Sequence, residues 1–145
     1  MKHRVHTRTL GRQSGHRLSM LRNLATALLE HKKIRTTEAR AKEVSRYVEG
    51  IIEEAKKAAR KKAENDPSHL AHKRHVFAKI RPRRDPDDPT RTSRDRTVAR
   101  QLFDHIATRY LEEPGRDERK GGYTRITRIE NRKGDGALLV QLELL

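Results

Sequence analysis

Residues 123–129 read Tyr123-Thr124-Arg125-Ile126-Thr127-Arg128-Ile129, and residues 138–144 read Leu138-Leu139-Val140-Gln141-Leu142-Glu143-Leu144. Most of the chain before them has the period of helices, so these two stretches decide the fold class. In the second, Leu138, Val140, Leu142 and Leu144 alternate with Leu139, Gln141 and Glu143, which predicts a strand with one strongly apolar face. The first is β-branched and strand-like. Its Ile126 and Ile129 break strict alternation, which leaves room for a bulge. Between the two, Lys133-Gly134-Asp135-Gly136 is a turn.

Working back from the strands, Val98, Leu102, Phe103, Ile106, Tyr110 and Leu111 predict a helix ended by Pro114-Gly115. Residues 82–97 hold three prolines, mixed charge and no apolar side chain, and are expected to be an exposed loop. Leu70, Val76, Phe77 and Ile80 carry a weaker helical stripe, with Asp66 as its cap, Pro67 at its first position and Pro82 as its stop. Ala41, Val44, Val48, Ile51, Ile52, Ala55 and Ala59 share one face of a long helix, weakened at Gly50 and ended by Asn65-Asp66-Pro67. Thr37 is placed to cap it, with Glu38 in the first turn where the helix dipole favours an anion. Ile34-Arg35-Thr36-Thr37 predicts a brief strand. Leu18, Leu21, Ala25, Leu28 and Leu29 predict a helix over about 16–31, with Ser14 as N-cap. The order is α-β-α-α-α-β-β. It predicts an α+β fold, a two-layer α/β domain whose small three-stranded sheet carries helices on one face. The expected organisation is a basic arm at 1–14 and a single domain at 15–145.

Composition narrows the function. The chain has 35 Lys and Arg against 20 Asp and Glu, a formal charge of +15. Such self-repulsion is relieved by a polyanion, and nucleic acid is the usual one. Only 3% of residues are aromatic and none is Trp. That argues against recognition by rows of stacking rings and favours contact with phosphate and folded shape. The absence of Cys excludes disulfides and thiolate metal sites. No apolar run approaches a membrane span, and none follows the basic N-terminus as a signal peptide requires, so a cytoplasmic protein is expected. Catalytic signatures such as a P-loop or a nucleophile elbow are absent. Asp85, Asp87 and Asp88 fall on the proline loop, without the rigid scaffold that a Mg²⁺-dependent nuclease needs. An enzyme, a cofactor and a small-molecule substrate are therefore not expected.

Charge is also uneven along the chain. Residues 1–29 contain Lys2, Arg4, Arg8, Arg12, Arg17 and Arg22 and no acidic residue; Glu30 is the first. Up to about Ser14 this segment is too poor in apolar residues to offset its ordering entropy, so it is expected to be disordered alone. Two other classes share the overall charge. A DNA-compacting nucleoid-type protein would need a dimerisation helix or a groove-entering ribbon, and an RNA-processing factor a convergent acid/base pair. Neither feature is evident.

The opening Met1-Lys2-His3-Arg4, then Arg8, Leu10, Arg12, His16-Arg17 and Arg22-Asn23, are followed by Ile34-Arg35-Thr36-Thr37, Ala41-Lys42-Glu43 and Gly121-Gly122-Tyr123-Thr124-Arg125-Ile126. Together these blocks resemble the bacterial large-subunit ribosomal protein seventeen family, over about residues 1–56 and 97–145. The resemblance implies a two-layer α/β domain with a basic arm. It also implies a structural role in the large subunit, binding to its ribosomal RNA beside neighbouring ribosomal proteins, near the mouth of the nascent-chain exit tunnel. The family usually begins Met-Arg-His-Arg; Lys2 keeps that charge but loses bidentate contact. Residues 60–95 look longer than the family's usual segment.

On this reading the RNA-binding residues are Lys2, His3, Arg4, Arg8, Arg12, His16, Arg17, Arg22, Asn23, Lys33, Arg35, Thr36, Thr37, Arg40, Arg116, Arg119, Lys120, Gly121, Gly122 and Arg125, with Arg128 extending the surface. The arm's cations suit phosphates in RNA crevices. Arg22 and Asn23 are expected off the Leu face of the first helix, although Asn23 also reads as a plain surface amide. Arg35, Thr36, Thr37 and Arg40 surround a helix N-terminus, which attracts phosphate; simple capping by Thr37 is the alternative. Gly121-Gly122 permits close approach or merely enters a hairpin. Tyr123 either stacks on a base or fills the core, with the core favoured. His69, His72 and His75 recur every three residues but lack a metalloenzyme pattern, so a solvated or RNA-facing stripe is expected rather than a metal site.

Overall fold

The computed structural model describes residues 7–81, 98–111 and 120–145. Its elements are α1 (Ser14–His31), β1 (Lys33–Thr37), α2 (Glu38–Ala63) and α3 (His69–Lys79). A fourth helix follows in three continuous pieces: α4 (Val98–Gln101), a π-helical segment (Leu102–Ile106) and α5 (Ala107–Leu111). The chain ends with β2 (Thr124–Asn131) and β3 (Leu138–Leu144). It forms an α+β fold with one three-stranded antiparallel sheet. Two compact units divide it, Met1–Tyr47 with Thr124–Leu145, and Val48–Tyr123, so α2 contributes to both.

In the first unit the strands lie in the order β1-β3-β2. The most apolar strand is the central one, because a central strand has both edges paired and its face covered. Ile34 and Ile126 pair with Leu142, and Thr36 pairs with Val140, so these side chains share a face on which Val140 and Leu142 are fully buried. Helix α1 packs on β1 and β3, its Ala25, Leu28 and Leu29 fully buried. Early α2 joins the same face, with Ser45 Oγ 2.7 Å from Thr124 Oγ1. The bulge that the broken alternation allows is present: the register of β2 slips between Arg128 and Glu130, leaving Ile129 exposed.

In the second unit Val48, Ile51, Ile52, Ala55 and Ala58 of α2 are buried, as are Val76, Ile80, Val98, Leu102, Ile106 and Tyr110. Tyr123 is fully buried, its ring centroid 4.7 Å from that of Tyr110, so it fills the core. Ala58, not Ala59, supplies the last buried turn.

Two expected boundaries move. Ser14 is the first helical residue of α1; the preceding Gln13 is extended and no side chain caps the helix. Helix α3 begins at His69 rather than at Pro67. Asp66 is held back by Lys61 Nζ at 2.7 Å and accepts the Ser68 N–H at 2.8 Å, after a left-handed Asn65 (φ 55°) has turned the chain. The π-helical segment inserts an extra residue, and Thr108 Oγ1 donates to the Phe103 carbonyl at 3.3 Å. No helix among the described residues is long and apolar enough to cross a membrane.

Candidate nucleic-acid interface

Most of the described candidate residues fall in the first unit, and so does most of the charge. Its residues include sixteen Lys and Arg against six Asp and Glu, which accounts for +10 of the chain's +15. The candidates there lie on two surfaces on opposite sides of the sheet-and-helix sandwich.

The first surface is the outer side of α1. His16 and Asn23, seven residues apart, fall within ~20° of each other around the helix, and about 180° from the buried Ala25. Both are exposed, and the Arg12 guanidinium contacts the His16 ring. Arg17, half-buried, lies about 100° from His16 and within ~20° of the buried Leu28, at the border of the packed face. Arg12 and Arg17 have no carboxylate within ion-pair distance among the described residues, and the sequence supplies none before Glu30. Arg22 departs from expectation. It lies about 20° from Leu29 around the helix, and its Nε is buried without a hydrogen-bond partner, so it borders the core instead of pointing away from it.

Residues 7–13 are not featureless. The Arg12 N–H donates to the Thr9 carbonyl at 3.1 Å, and Leu10 (φ 53°) and Gly11 (φ 63°) are both left-handed. Arg8, its side chain about half exposed, has its Nε 3.6 Å from Glu43 Oε1.

The second surface is the open face of the sheet, where Lys33, Arg35 and Arg125 alternate with inward residues. Here carboxylates compete. Arg35 reaches across β3 to Glu130, and Arg125 Nη1 lies 3.6 Å from Glu143. Lys33 is the cross-strand partner of that same Glu143. At the start of α2, Thr36 faces the core and is buried, while Thr37 and Arg40 are half-buried. Glu38 already occupies the first turn, and its carboxyl is held below the usual range by the hydrogen bond and charge of Lys42, with Arg128 and Arg8 adding to it. An anion is thus built into this helix end, which weakens it as a phosphate site.

Lys120, Gly121 and Gly122 are exposed, Lys120 preceding the two glycines in the second unit. Gly122 has φ 66°, as a hairpin entry needs, and no atom lies close enough to demand a missing side chain at either glycine. Lys2, His3, Arg4, Arg116 and Arg119 lie outside the described residues. The histidine stripe stays at the surface, none of its three residues buried, and two of them meet a carboxylate: His72 Nδ1 lies 2.9 Å from Glu54 Oε2 and His75 Nδ1 lies 3.8 Å from it. His69 bonds the Asp66 carbonyl. The His72 hydrogen bond holds the Glu54 carboxyl below its ordinary range.

Comparison with known proteins is consistent along the whole chain. The family model described as ribosomal protein L17 matches residues 20–145. Proteins named large ribosomal subunit protein bL17 match as well. The Fervidobacterium nodosum protein is 35% identical over all of this chain and 99% of its own length. The Wolinella succinogenes protein is 39% identical over the full length of both. The Ligilactobacillus salivarius protein is 42% identical over 95% of this chain and 97% of its own.

Proposed function

The chain belongs to the ribosomal protein L17 family, and from that premise we propose that it binds large-subunit ribosomal RNA through its arm and the outer stripe of α1. Members of this family are structural constituents of the ribosome, not enzymes. One observation carries the choice of surface. Residues 7–29 carry cations with no acidic residue among them, Glu30 entering only in the last turn of α1, whereas the open sheet face neutralises Arg35 and Arg125 within the protein. Exposed ion pairs of that kind are worth ~0–1 kcal/mol, so Arg35, Lys33 and Arg125 remain available as secondary contacts once phosphates replace their carboxylates. The position in the particle is near the mouth of the nascent-chain exit tunnel, against neighbouring ribosomal proteins.

Phosphate contact makes affinity fall steeply with salt. The test is co-sedimentation of the full chain with large subunits through gradients of rising salt. The reading expects it to stay with the large subunit at physiological salt. Recovery free of the particle, or with DNA instead, would count against it.

A further inference from the structure

Resting on the reading that the arm binds RNA, we infer that Arg8 is a positioning residue that anchors the arm to α2 and is not one of the arm's phosphate ligands. Glu43 is 7% exposed, a depth at which a carboxylate requires a counter-charge. The only cation within ion-pair distance of it among the described residues is Arg8, whose Nε lies 3.6 Å away. The backbone just after Arg8 forms a tight turn. Leu10 is left-handed, a conformation that costs an ordinary residue energy, and it is followed by a left-handed Gly11 and the Thr9–Arg12 hydrogen bond. The turn and the ion pair together fix Arg8 against α2. Arg12 and Arg17, on the far side of the turn, face no such carboxylate.

The two roles leave different signatures. A phosphate ligand contributes to the salt dependence of binding, and an internal anchor contributes to stability. The experiment compares full-length R8Q, E43Q, R8Q/E43Q and R12Q for melting temperature and for the slope of log affinity for large-subunit ribosomal RNA against log salt. R8Q is expected to melt roughly 4 °C lower, because Glu43 loses its counter-charge. Its slope should equal that of the wild type. In the E43Q background, where no carboxylate needs pairing, the same Arg8→Gln change should leave melting unchanged, a coupling that a solvated arginine cannot produce. Should R8Q alone be too unstable to purify, E43Q and the double variant still report that coupling through the difference between them. R12Q is expected to keep its melting temperature and lose ~0.7–0.9 from the slope. A reduced slope in R8Q, or in R8Q/E43Q relative to E43Q, overturns the inference, as does a melting temperature indifferent to Arg8 in both backgrounds. Failure of the underlying reading looks different: R12Q would then keep the wild-type slope, with the Arg8–Glu43 coupling intact.

Discussion

At Lys56 a charged side chain only 1% exposed follows Ile52 by one helical turn on the buried side of α2. Its ammonium donates to Tyr123 Oη at 2.9 Å and sits 5.3 Å from the ring centroid, while the Tyr123 hydroxyl donates to Glu53. Burial, and then the carboxylate of Glu53, push that hydroxyl above its ordinary range. Removing the acceptor should cost more than removing the charge. Tyr123→Phe is expected to destabilise by ~1–3 kcal/mol, since the buried ammonium loses a partner. Lys56→Met, an apolar side chain of similar length, is expected to change stability by less than about 1 kcal/mol. Urea unfolding of the two variants checks the order, and a larger loss in Lys56→Met would reverse the account. Tyr123 was legible in the sequence because a chain with five aromatics needs them in its core. Lys56 was not. Helical period put it beside apolar neighbours, but a lysine there ordinarily extends to water. The hydroxyl that holds it lies 67 residues away, and no local pattern encodes that meeting.

Each element shows a similar boundary between local and distant causes. The period-2 alternation of residues 138–144 and the broken alternation at Ile126 and Ile129 anticipated β3 and the bulge, because strand faces follow from the backbone alone. Helix starts were read less well, since Asp66 and Ser14 are good caps by type, while Lys61 and an extended Gln13 decide where the helices begin. Gly50 lies inside α2, is exposed, and has nothing within 4 Å of where a Cβ would stand. Gly50→Ala should therefore stabilise the protein by ~0.5–1 kcal/mol, read as a rise in the urea midpoint at constant slope. No gain would mean that the helix bends at that position. The β2–β3 turn carries a pH dependence. Asp135 accepts from Arg132 and, at 3.3 Å, from the Ala137 N–H; the Arg132 contact first, and then the amide, lower its pKa from 3.8 to about 2. A depressed carboxyl favours the folded turn above 3.8, and this contribution fades as pH falls from 3.8 toward 2. An NMR titration should find the Asp135 midpoint near 2, moving up in Arg132→Gln; a midpoint near 3.8 in the intact protein would show that the turn is not held this way.

For the whole molecule, charge and its distribution told more than any single motif. The excess of cations pointed to a polyanion, and the acid-free run of residues 1–29 is what the proposed side of contact rests on. Folding then sorted the candidates in ways that sequence order cannot. Arg22 borders the core and Arg17 the packed face, a half-exposed Arg8 pairs with Glu43, Arg35 and Arg125 find carboxylates across the sheet, and His16 and Asn23 remain on the outer side with Arg12 against the His16 ring. Those partners come from strands and helices distant in the chain, so sequence order alone does not separate paired cations from outward-facing ones. The central claim is that the arm and α1 hold ribosomal RNA by phosphate contact. It is tested most directly by replacing Arg4, Arg12 and Arg17 together with Gln and measuring affinity for large-subunit ribosomal RNA across a salt series. Three lost contacts at ~0.7–0.9 each predict a slope of log affinity against log salt lower by about 2–3, with the melting temperature unchanged. A wild-type slope in this variant would contradict the claim, whatever the change in absolute affinity.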